Sequence, residues 1–127
     1  MNDTDKHIGL LVFDWDGTLV DSVAYIAQSM RTAAAEENLP IPTADAVREI
    51  VGLGLTEAVQ RLFSQLDEAD NQALCARYST VFRRDQDAPC QLFDGVRNSL
   101  EELRDAGFLL AVATGKSRNS LRRAMQE

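Results

Sequence analysis

Residues 13–22 read Phe-Asp-Trp-Asp-Gly-Thr-Leu-Val-Asp-Ser and follow the apolar run Ile8 to Val12. An unbroken apolar run is typical of a strand covered on both faces in a parallel sheet, so we predict a first core strand over Ile8–Phe13. Because side chains two residues apart on an extended chain point the same way, Asp14 and Asp16 are expected to converge on one ligand at the end of this strand.

The segment after this motif is predicted to be helical throughout. Apolar residues recur there at helical spacing, and no strand-like segment interrupts them. Residues suited to begin a helix mark three predicted starts, which are Asp21 or Ser22, Thr43 and Thr56, and apolar spacing predicts a fourth helix from about Glu68. The last of these helices is expected to run to about Arg84.

After the helical segment, the sequence again has the pattern of alternating helix and buried strand. Asp94 can cap a further helix, and Gly107 can close it in a left-handed conformation. The short apolar run Phe108 to Ala113 is predicted to be a second core strand. The sequence therefore predicts the order strand, helical insert, helix, strand, which is an α/β architecture.

Composition favours a soluble globular protein, since 45% of residues are apolar and 26% are charged. No segment approaches the roughly 20 apolar residues of a membrane helix, and no signal sequence is evident, so we expect a cytoplasmic protein without a membrane partner. The net charge of −7 argues against broad nucleic-acid binding. Cys75 and Cys90 lack a metal-ligand spacing and are expected to be free thiols.

The ten-residue motif and the order of elements resemble the haloacid dehalogenase superfamily of hydrolases, in which an apolar strand ends in Asp-x-Asp-Gly-Thr, then Leu-Val and often Asp-Ser. The resemblance covers essentially the whole chain. It implies a Rossmann-like hydrolase core, here residues 1–20 and 92–127, with an inserted all-helical cap over residues 21–91. Open parallel sheets generally bind their ligands at the carboxyl ends of the strands.

The resemblance also implies a reaction. It assigns Asp14 as the nucleophile that forms an aspartyl-phosphate and Asp16 as the group that protonates the leaving alkoxide and later deprotonates water. Phosphate and two carboxylates would repel one another without a cation, and Mg²⁺ is the expected cofactor. By family analogy it is held by the Asp14 carboxylate and the Asp16 backbone carbonyl. The implied substrate is a small phosphate ester, with phosphoglycolate the best single guess.

A second motif, Thr114-Gly115-Lys116, follows the second apolar run. The resemblance implies that this segment binds the substrate phosphate, with the Thr114 hydroxyl donating to a phosphoryl oxygen. Lys116 either lies near that phosphate or is simply solvated. Of the arginines further on, only Arg118 starts near enough to Thr114 to suggest a phosphate contact.

The chain departs from the family after Thr114. A third-motif lysine and the fourth-motif acidic residues that complete the Mg²⁺ shell should lie on later strand–helix units of about 30 residues each, and the remaining residues do not hold them. We therefore expect this chain to be the amino-terminal part of a longer hydrolase. By itself it should be at most a weak enzyme. It should also either self-associate through its unpaired strand edges or hold a folded cap beside a disordered core.

Several alternatives stay open at this stage. A phosphomutase on the same scaffold would keep both aspartates, so this activity stays open. A dehalogenase releases halide, which needs no protonation, so the presence of Asp16 argues against that activity. A non-catalytic module that uses its helices as an interaction surface is the third possibility. Gly52-Leu53-Gly54 is expected to be a turn between two helices, with a loop that contacts the substrate as the alternative.

Overall fold

A computed structural model describes residues 9–85 and 90–126. Within these ranges the chain forms two strands and six helices. In chain order they are β1 (Leu10–Phe13), α1 (Val23–Glu36), α2 (Ala44–Ile50), α3 (Leu55–Leu62), α4 (Glu68–Arg84), α5 (Val96–Asp105), β2 (Leu109–Val112) and α6 (Arg118–Met125). The predicted start of the first strand at Ile8 lies outside the described residues.

The two strands pair in parallel, as predicted. Leu10 is opposite Leu109, and Phe13 is opposite Val112. The ladder continues past the last pair, because the amide of Ala113 donates to the carbonyl of Phe13 over 2.8 Å. The residues that follow β1 and β2 therefore leave the sheet at the same edge.

The expectation that these strands are covered on both faces is wrong for the described part of the chain. Leu10, Val12 and Leu109 are 52%, 57% and 71% exposed. The opposite face, which carries Phe13 and Val112, packs against a small core built around Trp15, Leu19 and Val20. Alternate side chains of a strand point to opposite faces, and the described residues supply a layer for only one of them.

The larger core lies within the helical insert. Helices α1 to α4 pack together, α1 against both α2 and α4, and α3 against α4. Their inward side chains are almost inaccessible to solvent and include Met30, Ala33, Val47, Val59, Leu74 and Val81. This helical block fits the predicted insert, whereas the domain boundaries at residues 21 and 91 stay predictions.

Several predicted helix ends are confirmed. The Thr43 hydroxyl accepts a hydrogen bond from the amide of Ala46 at the start of α2. Helix α4 has the predicted bounds, and its amino-terminal cap is the Asp67 carboxylate. Gly107 follows α5 with a φ of 98°, in the left-handed region that glycine adopts without strain.

Other predicted helix starts are wrong. Helix α3 begins at Leu55 after Gly54, so Thr56 lies inside its first turn. Gly95, with a φ of 82°, occupies the cap position of α5 in place of Asp94, because the chain enters this helix through a tight turn in which the Val96 amide donates to the carbonyl of Phe93. Left-handed backbone at this point favours glycine and leaves no place for an aspartate cap.

Among the helices of the described residues, none combines the length and the apolar character needed to cross a membrane. Neither Cys75 nor Cys90 forms a disulfide bond within the residues that the structure describes.

Candidate active site

The site is at the shared edge where β1 and β2 end. Asp14 follows β1 directly, and Thr114 lies two residues beyond β2. The chain then reverses after Asp14, because the amides of Thr18, Leu19 and Val20 all donate to the carbonyl of Trp15. Gly17 makes this reversal possible with a φ of 76°. The first motif is thus a strand followed by a tight turn that presents its polar side chains at the sheet edge.

Asp16 is held on both carboxylate oxygens. The Ser22 hydroxyl donates to Oδ1 over 2.7 Å, and the Lys116 ammonium lies 3.3 Å from Oδ2. The side chains of Lys116 and Asp16 are only 15% and 11% exposed. Ser22 occupies the cap position of α1 without making a capping hydrogen bond, because its hydroxyl is directed at Asp16. The predicted start of α1 is therefore confirmed with Ser22 at the cap position, whereas the expectation that its side chain caps the helix is wrong.

Lys116 connects the second motif to the helical block. Its ammonium lies 5.0 Å from the ring centroid of Phe82 on α4, within the range of a cation–π interaction. Its backbone amide donates to the Thr114 hydroxyl over 3.1 Å, which fixes the second-motif turn. Lys116 is therefore not simply solvated, and its contact with a phosphate stays a prediction.

Asp14 is the more accessible of the two carboxylates. Its Oδ1 accepts a hydrogen bond from the Trp15 amide over 2.8 Å, while Trp15 itself packs into the small core. A Cβ atom on Gly52 would lie 3.8 Å from Asp14 Oδ2. The turn between α2 and α3 thus reaches the predicted nucleophile.

The same turn touches the second motif even more closely. A Cβ atom on Gly115 would lie 2.5 Å from the carbonyl oxygen of Leu53 and 2.8 Å from the amide nitrogen of Gly54, closer than real Cβ atoms approach. Gly115 is therefore required by the approach of another backbone. Gly52-Leu53-Gly54 is a turn, as expected, and it also contacts the predicted site residues.

A cavity of about 200 Å³ opens between the strand ends and the helical block. Asp16, Thr114, Gly115 and Lys116 line it together with Gly52 of the turn. Asp14 lines neither this cavity nor the larger adjoining one of about 520 Å³, as far as the described residues define them. It is instead placed beside Gly52, at the margin of the smaller cavity.

The sequence did not identify several residues that line the smaller cavity. Tyr78 and Phe82 lie on α4, and both line the smaller cavity. Burial raises the pKa of the Tyr78 hydroxyl far above its ordinary value, and the negative charge of Asp16 raises it further. The phenol therefore stays a neutral hydrogen-bond donor at physiological pH. Arg83 and Arg123 line the cavity as well, whereas Arg118, the arginine singled out from the sequence, does not.

The donor chemistry at the strand end suits Mg²⁺ in part. Asp14 offers an accessible carboxylate oxygen, which is a ligand that this hard cation prefers. Ser22 and Lys116 occupy both oxygens of the Asp16 carboxylate, and the backbone carbonyl of Asp16 as a second donor stays a prediction. Within residues 9–85 and 90–126 no group of three or more His, Cys, Asp or Glu side chains is arranged to hold a metal. These residues can thus contribute to a Mg²⁺ shell without completing it.

Comparison with known proteins gives a family match over nearly the whole chain. Residues 11–127 match the family model described as haloacid dehalogenase-like hydrolase. The solved structure of a predicted phosphoglycolate phosphatase from Haemophilus somnus aligns with a TM-score of 0.80 at 26% identity, covering 92% of this chain and 56% of that one. The predicted fold class, a Rossmann-like core with a helical insert, is thereby confirmed.

Two curated relatives carry different names. Phosphoglycolate phosphatase of Agrobacterium fabrum is 34% identical over 112 residues, covering 85% of this chain and 48% of the relative. Tyrosine-protein kinase PtkA of Mycobacterium tuberculosis is 37% identical over 117 residues, covering 92% of this chain and 39% of the relative. The chain therefore spans less than half the length of these two proteins.

Proposed function

The chain belongs to the haloacid dehalogenase-like hydrolase family, and we propose that the protein carrying it hydrolyses a small phosphate ester through an aspartyl-phosphate on Asp14. The observation that carries this proposal is that Asp14, Asp16 and Thr114 all follow the carboxyl ends of two parallel strands. The phosphoglycolate phosphatases among the relatives support phosphoglycolate, or a compound of similar size, as the substrate.

In the proposed first step, an Asp14 carboxylate oxygen bonds to phosphorus while the ester P–O bond breaks. Asp16 gives its proton to the departing alkoxide, and the nearby Lys116 ammonium stabilises the carboxylate that remains. In the second step Asp16 takes a proton from water, water oxygen bonds to phosphorus, and the bond to Asp14 breaks. Inorganic phosphate leaves, and both aspartates return to their starting states.

The remaining residues orient the phosphoryl group. We propose that the Thr114 hydroxyl and the segment through Gly115 and Lys116 bind its oxygens. Asp14 and the Asp16 backbone carbonyl would hold Mg²⁺, which when bound neutralises the charge shared by phosphate and carboxylates. Ser22 keeps the Asp16 carboxylate oriented for proton transfer.

The test is turnover of an aryl phosphate by the complete protein with Mg²⁺. Asp14→Asn should abolish phosphate release, because an amide oxygen does not attack phosphorus usefully. Asp21→Asn, a change in an exposed aspartate of the same motif, is the matched control and should retain activity. Full turnover by Asp14→Asn would refute the nucleophile assignment.

A second candidate activity is phosphoryl transfer to tyrosine, and the similarity to the mycobacterial tyrosine-protein kinase favours it. The two activities separate cleanly in solution. The proposed phosphatase releases inorganic phosphate from an ester without nucleotide, whereas a kinase transfers phosphate from ATP to a tyrosine peptide. A phosphomutase, the third alternative, would move the phosphoryl group to another position of the substrate without net release.

A further inference from the structure

The two adjoining cavities share a wall that is rich in positive charge. Asp16, Lys116, Arg83 and Arg123 line both of them. Asp16 is the single carboxylate among the described lining residues, and Lys116 already pairs with it. The chain as a whole carries a net charge of −7, so the positive charge of this wall is opposite in sign to the charge of the whole chain.

Arg83 and Arg123 also differ from nearby arginines in their ion pairing. Arg77 and Arg84, on the same helix as Arg83, form ion pairs with Glu36, and each also pairs with a second carboxylate, Glu37 or Asp85. Neither Arg83 nor Arg123 forms an ion pair within the part of the chain that the structure describes. Both are exposed residues at cavity walls, so their guanidinium groups are accessible to a ligand.

The two arginines come from different parts of the fold. Arg83 lies near the carboxyl end of α4, in the helical block, and Arg123 lies on α6, which follows the second strand. An anion between them would therefore contact both layers. Guanidinium groups favour carboxylate and phosphate oxygens because their paired N–H donors match that geometry.

We propose that Arg83 and Arg123 form a subsite for a second anionic group of the substrate, either a carboxylate or a second phosphate. This inference rests on the proposed function, since it assumes that the first phosphate occupies the strand-end site. It narrows the substrate class to small phosphate esters with a second negative charge. An alkyl phosphate whose alkyl group is uncharged would lack the second anionic group that these arginines recognise.

The experiment measures binding by calorimetry to the complete protein with Asp14→Asn, so that no turnover occurs. The probes are phosphoglycolate, ethyl phosphate and ethylene glycol bisphosphate, which share a two-carbon unit and differ in the second anionic group. Arg83→Gln and Arg123→Gln are compared with Arg122→Gln. Arg122 is an exposed residue next to Arg123 on the same helix, and it lines neither cavity.

Phosphoglycolate or the bisphosphate should bind more tightly than ethyl phosphate, and Arg83→Gln or Arg123→Gln should weaken that tighter ligand by about threefold to tenfold. The affinity for ethyl phosphate should not change, and Arg122→Gln should change neither affinity. The preferred ligand of the two, phosphoglycolate or the bisphosphate, identifies the second group as carboxylate or phosphate. Equal losses for ethyl phosphate, or no loss at all, would overturn the subsite. Failure of the hydrolytic proposal would show separately, as activity retained by Asp14→Asn in the turnover assay.

Discussion

At the scale of single residues, Asp14 and Asp16 have different surroundings, and their substitution should affect catalysis differently. Asp16 has a donor on each carboxylate oxygen, whereas Asp14 is exposed. We expect Asp16→Asn to lower kcat for an alkyl phosphate by about 10² or more, and much less for an aryl phosphate, whose leaving group needs little protonation. The measurement is the ratio of the two kcat values. Equal losses on both esters would contradict the acid–base assignment.

Ser22 provides a second test at this scale, because Thr43 is a natural control for it. Both residues occupy helix cap positions, yet only the Thr43 hydroxyl makes a capping hydrogen bond. Ser22→Ala should lower kcat for the alkyl phosphate several-fold by releasing Asp16. Thr43→Ala should leave kcat unchanged and lower the free energy of unfolding by about 1 kcal/mol. Chemical denaturation and steady-state kinetics on both variants check this, and unchanged kcat in Ser22→Ala would show that Asp16 needs no support.

At the scale of elements, the close contact is between the α2–α3 turn and the second motif. Gly115→Ala would place a methyl group on the Leu53 carbonyl, so the turn must move away. Gly54→Ala is the control, because a Cβ atom there would meet nothing within 4 Å and the backbone φ of −60° suits alanine. We expect Gly115→Ala to raise amide exchange around residues 51–55 and to raise KM, while Gly54→Ala changes neither. Unchanged exchange in Gly115→Ala would show that the turn does not rest on this motif.

The elements also show what the sequence could predict. Helix α4 was predicted with its observed bounds, because the helical spacing of its apolar residues is a local signal. The strand-end position of Asp14 followed from an apolar run, which is likewise local. The contact between Lys116 and Asp16, and that between Leu53 and Gly115, join distant parts of the chain, and spacing along the sequence does not encode them. The hydrogen bond from Ser22 to Asp16 was missed for a different reason, since a serine before a helix normally caps that helix with its side chain.

At the scale of the whole molecule, the strand pair has one covered face and one exposed face. Leu10, Val12 and Leu109 lie on strands whose outer edges have no neighbouring strand within the described residues. Exposed apolar strands with free edges promote association between chains. The 127-residue chain produced by itself should therefore self-associate as its concentration rises.

A pair of substitutions locates that association on the sheet. Leu109→Gln changes a side chain that is 71% exposed on β2, and Ile41→Gln changes one that is 55% exposed in the connection between α1 and α2. Light scattering should show a lower mean mass for Leu109→Gln than for the unchanged chain, and no change for Ile41→Gln, because both variants lose exposed apolar surface but only Leu109→Gln loses it at the strand pair. A chain that stays monomeric over the whole concentration range, or an equal effect of both substitutions, would show that the strand pair is not where the chains meet.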